Sequence, residues 1–125
     1  MSNSIISARA FEFAVRIVKL ADGISSSRPA ARHVATQLVQ AGTSVGANAE
    51  EAQEAQTKAD FIARLSISRK EARETHYWLR LAVRSGIVAD SQVRWELNEA
   101  AELLAMIRSA IITARRSPTR GAGTI

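Results

Sequence analysis

Cysteine is absent from the 125 residues of this chain, so the protein forms no disulfide and uses no thiol in catalysis. The absence fits a reducing compartment, and we expect a cytoplasmic protein. The sequence also lacks a run of about 18 apolar residues, the length that crosses a bilayer. Its first residues do not have the basic segment followed by an apolar stretch that forms a secretory signal. We therefore expect no membrane partner and no targeting segment.

Proline, glycine and aromatic residues are scarce. There are two prolines, Pro29 and Pro118, six glycines, and only 5% aromatic residues. The glycines lie mainly between or beyond long stretches of Ala, Leu, Glu and Arg, which are strong helix formers. The composition predicts an all-α protein, and the length is that of one domain.

Four segments show helical periodicity and short connections. They run from about Ala8 to Ala21, from Ala30 or Ala31 to Gln56, from Lys58 or Ala59 to Arg84, and from a cap at Asp90 or Ser91 to Ala114. Short connections favour antiparallel neighbours. We therefore predict an antiparallel up-and-down four-helix bundle over residues 1–114, followed by a disordered basic tail over residues 115–125.

Apolar or small residues recur at helical spacing in each segment and predict the core. The stripes are Val34, Leu38, Ala41, Val45, Ala49 and Ala52; Phe61, Leu65, Ser68, Ala72, Thr75 and Leu79; and Val93, Leu97, Ala100, Leu104, Ile107 and Ile111. The first segment has two apolar lines, Phe11, Val15 and Val18 beside Phe13, Ile17, Leu20 and Ile24. Either this helix is deeply buried or one line contacts another copy of the chain. Gly42 and Gly46 indicate a close helix approach or, alternatively, a kink.

Polar residues border two of these stripes. They are Gln37, Ser44, Asn48 and Glu51 in the second segment, and Glu71 and Glu74 in the third. Because buried carboxylates need partners, we predict a structural polar core in which Glu71 and Glu74 accept hydrogen bonds from the second segment or from arginines. The alternative, a general acid/base pair, is the less favoured interpretation.

Residues for the common catalytic and metal sites are missing. A di-iron bundle needs Glu three residues before His, but Ala30 and Arg73 precede His33 and His76 at that spacing. No glycine-rich phosphate loop or nucleophile with a base is evident. We expect no enzyme activity, no catalytic residue, no cofactor and no metal.

Positive charge is concentrated in the third segment. The net charge is +5, and residues 58–89 alone carry seven basic and three acidic side chains. Arg69, Arg73, His76, Arg80 and Arg84 lie within about a quarter of the helix circumference. This row could bind phosphates of RNA or DNA without reading sequence, assisted by Arg115, Arg116 and Arg120. The alternative is a solvated helix face.

The second and third segments resemble the 23S rRNA intervening-sequence proteins, also called the four helix bundle protein family. The matching residues are Ser44, Val45, Ala47, Asn48, Glu51, Ala52, Asp60, Phe61, Lys70, Glu71, Ala72, Glu74, Tyr77, Trp78 and Leu79. The resemblance implies a small antiparallel bundle that assembles into a ring-shaped homopentamer. A related branch of the family serves as accessory protein to the reverse transcriptase of diversity-generating retroelements, so it also implies nucleic acid or such an enzyme as possible partners.

A second hypothesis is a protein-interaction scaffold that does not bind nucleic acid. It rests on Trp95 and Met106, which we expect on the outer side of the fourth helix. The sequence does not identify the cellular process.

Overall fold

The computed structural model describes residues 3–118, and within them the chain forms four helices and no strand. The helices are α1 (Asn3–Asp22), α2 (Pro29–Gln53), α3 (Lys58–Arg84) and α4 (Asp90–Arg116). Each helix packs on the next, and a less extensive contact between α1 and α4 closes the bundle. The prediction of an all-α four-helix bundle is confirmed.

Contacts at the helix ends show that neighbours are antiparallel. Between α3 and α4, the ammonium of Lys58 at the start of α3 donates to the carbonyls of Arg115 and Ser117 at the end of α4, at 3.2 and 2.8 Å. Between α1 and α4, Arg9 pairs with Glu102 while the later Arg16 approaches the earlier Glu96. The up-and-down topology follows.

The helix boundaries follow local chemistry. Pro29 is the first residue of α2, where its missing N–H costs nothing. The Thr57 hydroxyl caps α3 by accepting from the N–H of Asp60 at 3.1 Å. Gly86, with φ of 78°, follows α3 in the left-handed conformation that glycine tolerates.

Both ends of α4 differ from the prediction. Ala89, rather than Asp90 or Ser91, occupies the N-cap position, and the Gln92 side chain accepts from its N–H at 2.7 Å. The predicted cap is wrong because Asp90 pairs with Arg94 one turn later instead. At the other end α4 continues to Arg116, so the tail predicted from residue 115 begins as helix. Arg120 and residues 119–125 lie outside the described residues.

The core is formed by the predicted stripes of α2 and α3, every residue of which is buried. In α1 the buried line passes through Phe13 and Ile17, whereas Phe11 is 57% exposed. The periodicity of a single helix does not distinguish two adjacent apolar lines, so packing against the other helices decides which line faces the core.

The buried face of α4 is rotated relative to its predicted stripe. Leu97 and Leu104 are only partly buried, and Glu96, Leu103 and Met106 are buried in addition to the predicted Val93, Ala100, Ile107 and Ile111. The placement of Met106 on the outer side of α4 is therefore wrong. Its sulfur lies in the interface with α1, 3.2 Å from Nη1 of Arg9.

The predicted close approach at Gly42 and Gly46 is confirmed and joins α1 to α2. A Cβ built on Gly42 would lie 2.7 Å from Cγ2 of Ile17. One built on Gly46 would lie 3.4 Å from the backbone of Ala10. Gly42 lets the α2 backbone approach α1 more closely than a side chain there would permit, whereas a Cβ at residue 46 would make ordinary contact. The helix α2 continues through both glycines without a break.

Charged side chains close the contact between α1 and α4. Arg9 donates to Glu99 at 2.6 and 2.9 Å and to Glu102 at 2.7 Å. The guanidinium of Arg16 lies 4.2 Å above the ring of Trp95, which is 38% exposed. Trp95 is therefore partly covered within its own chain.

None of the described helices is long and apolar enough to cross a membrane.

Candidate nucleic-acid interface

The predicted basic row lies on α3, beside the buried stripe that fixes the orientation of the helix. Arg73, Arg80 and Arg84 are exposed, and Arg69 and His76 are half-buried at the edge of the core. At 1.5 Å per residue, the row is about 22 Å long. Thus the helix presents at least three guanidinium groups to solvent along one line.

The arginines of this row form no ion pair among the described residues. The arginines that do pair with carboxylates are Arg9, Arg16, Arg64 and Arg94. A guanidinium without an internal carboxylate has no negative neighbour to compensate its charge, so it can pair with an external anion. The row thus differs from the contact between α1 and α4, where arginines stabilise the fold.

His76 is linked to the row through Arg80. The Nε of Arg80 donates to Nδ1 of His76 at 3.1 Å. Burial lowers the pKa of His76, and the positive charge of Arg80 lowers it further. The imidazole is consequently neutral and a hydrogen-bond acceptor at pH 7, and it becomes a cation only when the solution is acidified.

Tyr77 is an exposed aromatic residue at the margin of the row that the sequence did not single out as a site. Its side chain is 48% exposed, and the guanidinium of Arg80 lies 5.9 Å from its ring centroid. Trp78 contacts the Tyr77 ring, with centroids 5.2 Å apart and ring planes at 80°. In the sequence, the position of Tyr77 between Arg73 and Arg80 indicates that it belongs to this surface.

Two surface depressions meet at Tyr77. One, of about 590 Å³, is lined by Tyr77, Arg80, Leu81, Arg84 and Ser85. The other, of about 470 Å³, is lined by Lys70, Arg73, Glu74, Tyr77 and Arg80. Tyr77 and Arg80 line both, so the aromatic ring stands between two basic recesses. Glu74 is the acidic member of this surface.

Two members of the polar row of α2 form hydrogen bonds within their own helix rather than across the bundle. The hydroxyl of Ser44 donates to the carbonyl of Gln40 at 2.7 Å, and the amide of Asn48 donates to the carbonyl of Ser44 at 2.9 Å. Gln37, Ser44 and Asn48 are half-buried, and Glu51 is exposed. Short polar side chains bond readily to the preceding turn, which removes the need for a partner on α3.

Glu71 and Glu74 lie together on α3, with Glu71 half-buried and Glu74 exposed. Burial raises the pKa of Glu71, and the neighbouring carboxyl of Glu74 raises it further. The predicted hydrogen bonds from Ser44 and Asn48 to these carboxyl groups are wrong, because both side chains donate to their own backbone. Among the described residues, the arginines that form ion pairs do so with other carboxylates. Within residues 3–118, no cluster of His, Asp and Glu is placed to hold a metal ion.

Comparison with known proteins identifies the family. The model of the 23S rRNA-intervening sequence proteins matches residues 2–109. This chain belongs to that family. A solved structure from Bacteroides thetaiotaomicron, a protein of unknown function from the S23 ribosomal protein family, is similar with 36% sequence identity and a TM-score of 0.81. The similarity covers 90% of this chain and 99% of that one. A search of curated proteins gave no match.

Membership of the 23S rRNA-intervening sequence family accounts for the four-helix fold and for the matched polar and aromatic residues of α2 and α3. The function of the Bacteroides relative is unknown.

Proposed function

We propose that this chain is a non-enzymatic, homo-oligomeric module that binds nucleic acid without sequence preference through the exposed arginines of α3. The observation that supports the proposal is the line of Arg73, Arg80 and Arg84, exposed and free of ion pairs among the described residues. A straight row of cations attracts the phosphate backbone and does not distinguish bases.

Self-association would strengthen nucleic-acid binding by this row, because one oligomer would carry several copies of it. The outer line of α1 supports self-association, because Phe11 is 57% and Val18 is 38% exposed beside the buried line. Neighbouring exposed apolar side chains on one helix face favour a contact between copies. A ring of five copies, as the family resemblance implies, would present five basic rows, and joined sites bind more tightly than single ones.

The test is fluorescence anisotropy with labelled RNA and DNA, comparing the parent with the triple variant Arg73→Glu, Arg80→Glu and Arg84→Glu. We expect the parent to bind at about 50 mM salt and the variant to lose binding. The matched control reverses three other exposed arginines, Arg28, Arg32 and Arg108. This control has the same net charge as the variant, so it should retain most of the affinity if the row is the site.

Absence of binding by the parent at about 50 mM salt would refute the proposal, because electrostatic binding is strongest at low salt. The basic row would then be a solvated face, and the scaffold hypothesis would come first. Equal losses in the variant and in its control would show that net charge, rather than this row, governs binding. Sedimentation equilibrium tests the assembly, and a monomer at micromolar concentration would contradict it.

A further inference from the structure

Tyr77 gives the basic face of α3 a property that a row of arginines alone does not have. About half of its side chain is open to solvent, and the ring stands between the two depressions that contain Arg73, Arg80 and Arg84. An exposed aromatic ring beside cations is the arrangement that binds unpaired bases by stacking while the phosphates contact arginine.

We propose that the face formed by Arg73, Tyr77, Arg80 and Arg84 is a single-strand binding site in which an unpaired base stacks on Tyr77. This inference rests on the proposed function and narrows its ligand from nucleic acid in general to single strands. Bases inside a duplex already stack on their neighbours and offer no free face to a side chain. A base that stacks on the exposed ring is therefore an unpaired one.

The surroundings of the ring fit this role. Trp78 contacts Tyr77 with its ring almost perpendicular, at 80°, so it restricts the tyrosine without lying parallel to its ring. The guanidinium of Arg80 is 5.9 Å from the ring centroid, at the outer limit of a cation–π contact. Arg80 thus covers one face of the ring with a positive charge, and a stacked base would take the opposite face.

The spacing along α3 places phosphate-binding groups on both sides of the ring. Arg73 precedes Tyr77 by one turn and Arg84 follows it by about two turns, which separates these two arginines by about 16 Å along the helix axis. A strand that crosses the two depressions would place its backbone on the arginines and one base over Tyr77. Since stacking tolerates every base, sequence preference is not expected.

Three probes of equal length distinguish stacking from charge: a single-stranded RNA of about 12 nucleotides, the same strand without bases, and the duplex. The two single strands carry identical phosphates. If charge alone acts, they bind equally, and the duplex binds more tightly because its charge density is higher. With a stacked base, the parent should bind the complete strand about 5- to 150-fold more tightly than the baseless strand.

The variant Tyr77→Ala should lose that advantage and bind the two single strands alike. Tyr77→Phe keeps the ring and should bind as the parent does. An affinity for the complete strand that is the same in the parent and in Tyr77→Ala would overturn the inference while leaving the proposed function in place. A parent that binds none of the three probes would overturn both.

The variants are also compared by sedimentation and circular dichroism. Unchanged assembly and helix content in Tyr77→Ala are expected, because the side chain is half exposed. A change in the number of copies would assign Tyr77 to a contact between subunits and would overturn the stacking role.

Discussion

Replacing Gly42 or Gly46 by alanine should have opposite effects on stability, although the two glycines lie one turn apart on α2. In a helix interior, either change gains about 1 kcal/mol from helix propensity. The atoms around each new Cβ then decide whether the variant is more or less stable than the parent. A new Cβ at residue 42 would lie 2.7 Å from Cγ2 and 3.1 Å from Cβ of Ile17, which is fully buried. At residue 46 the nearest atoms, in the backbone of Ala10, are 3.4 Å away.

Carbon atoms in contact prefer a separation of about 3.5–4.0 Å. The Gly42→Ala variant therefore overpacks the contact between α1 and α2, at a cost of about 1–3 kcal/mol that exceeds the gain in propensity. In Gly46→Ala the new Cβ lies at nearly normal contact distance from Ala10, so this variant should keep most of the gain in helix propensity. We expect the free energies of unfolding of the two variants to differ by about 1–3 kcal/mol, with Gly42→Ala the less stable.

Urea unfolding followed by circular dichroism measures this difference, at one protein concentration because assembly contributes to stability. A double-mutant cycle locates the cause. In an Ile17→Ala background the obstructing Cγ2 atom is gone, so Gly42→Ala should become stabilising even though Ile17→Ala itself costs about 2–5 kcal/mol. Variants at 42 and 46 within about 0.5 kcal/mol of each other would refute the close approach described here.

Two further predictions concern pH. His76 has a lowered pKa, so its contribution to stability is present above about pH 6.5 and is lost as the pH falls through that lowered pKa. Its protonation adds a charge to the basic row, and anisotropy should show tighter RNA binding on acidification in the parent but not in His76→Gln. Glu71 has a raised pKa, so the folded state is favoured at low pH and loses stability as the pH rises through that value. Glu71→Gln removes the charge beside Glu74, and thermal unfolding near pH 7 should show it at least as stable as the parent.

Each pH prediction has a result that contradicts it. Identical pH profiles of RNA affinity in the parent and in His76→Gln would show that the imidazole does not face the bound anion. A Glu71→Gln variant that unfolds at a lower temperature than the parent at pH 7 would mean that the ionised carboxylate has a stabilising partner.

The stripes of α2 and α3 were predictable from sequence because each helix has one apolar line, and burying it leaves no choice of orientation. In α4 the sequence offered two solutions. One stripe passes through Leu97 and Leu104, and the other passes through Glu96 and Leu103. The second is displaced by one residue, which is a rotation of about 100° around the helix axis. The second is realised because Arg9 and Arg16 of α1 supply partners to the acidic residues of α4.

Residue spacing identified the basic row, since the positions of arginines on a helix are fixed once its core stripe is known. Tyr77 was harder to assign, because an aromatic residue between a core stripe and a charged row can be buried or exposed depending on its rotamer and on its neighbours. The polar row of α2 was misassigned because sequence does not show whether Ser44 and Asn48 bond across the bundle or to their own preceding turn.

The dependence of RNA affinity on salt tests most directly the claim that the arginines of α3 bind phosphates. Each phosphate neutralised contributes about −0.7 to −0.9 to the slope of log affinity against log salt concentration. For Arg73, Arg80 and Arg84 the account predicts that the parent slope is steeper by about 2 to 3 than that of the triple glutamate variant measured where both still bind, or that the variant does not bind at all. A parent affinity that is independent of salt, or a slope unchanged by the triple reversal, would contradict the account.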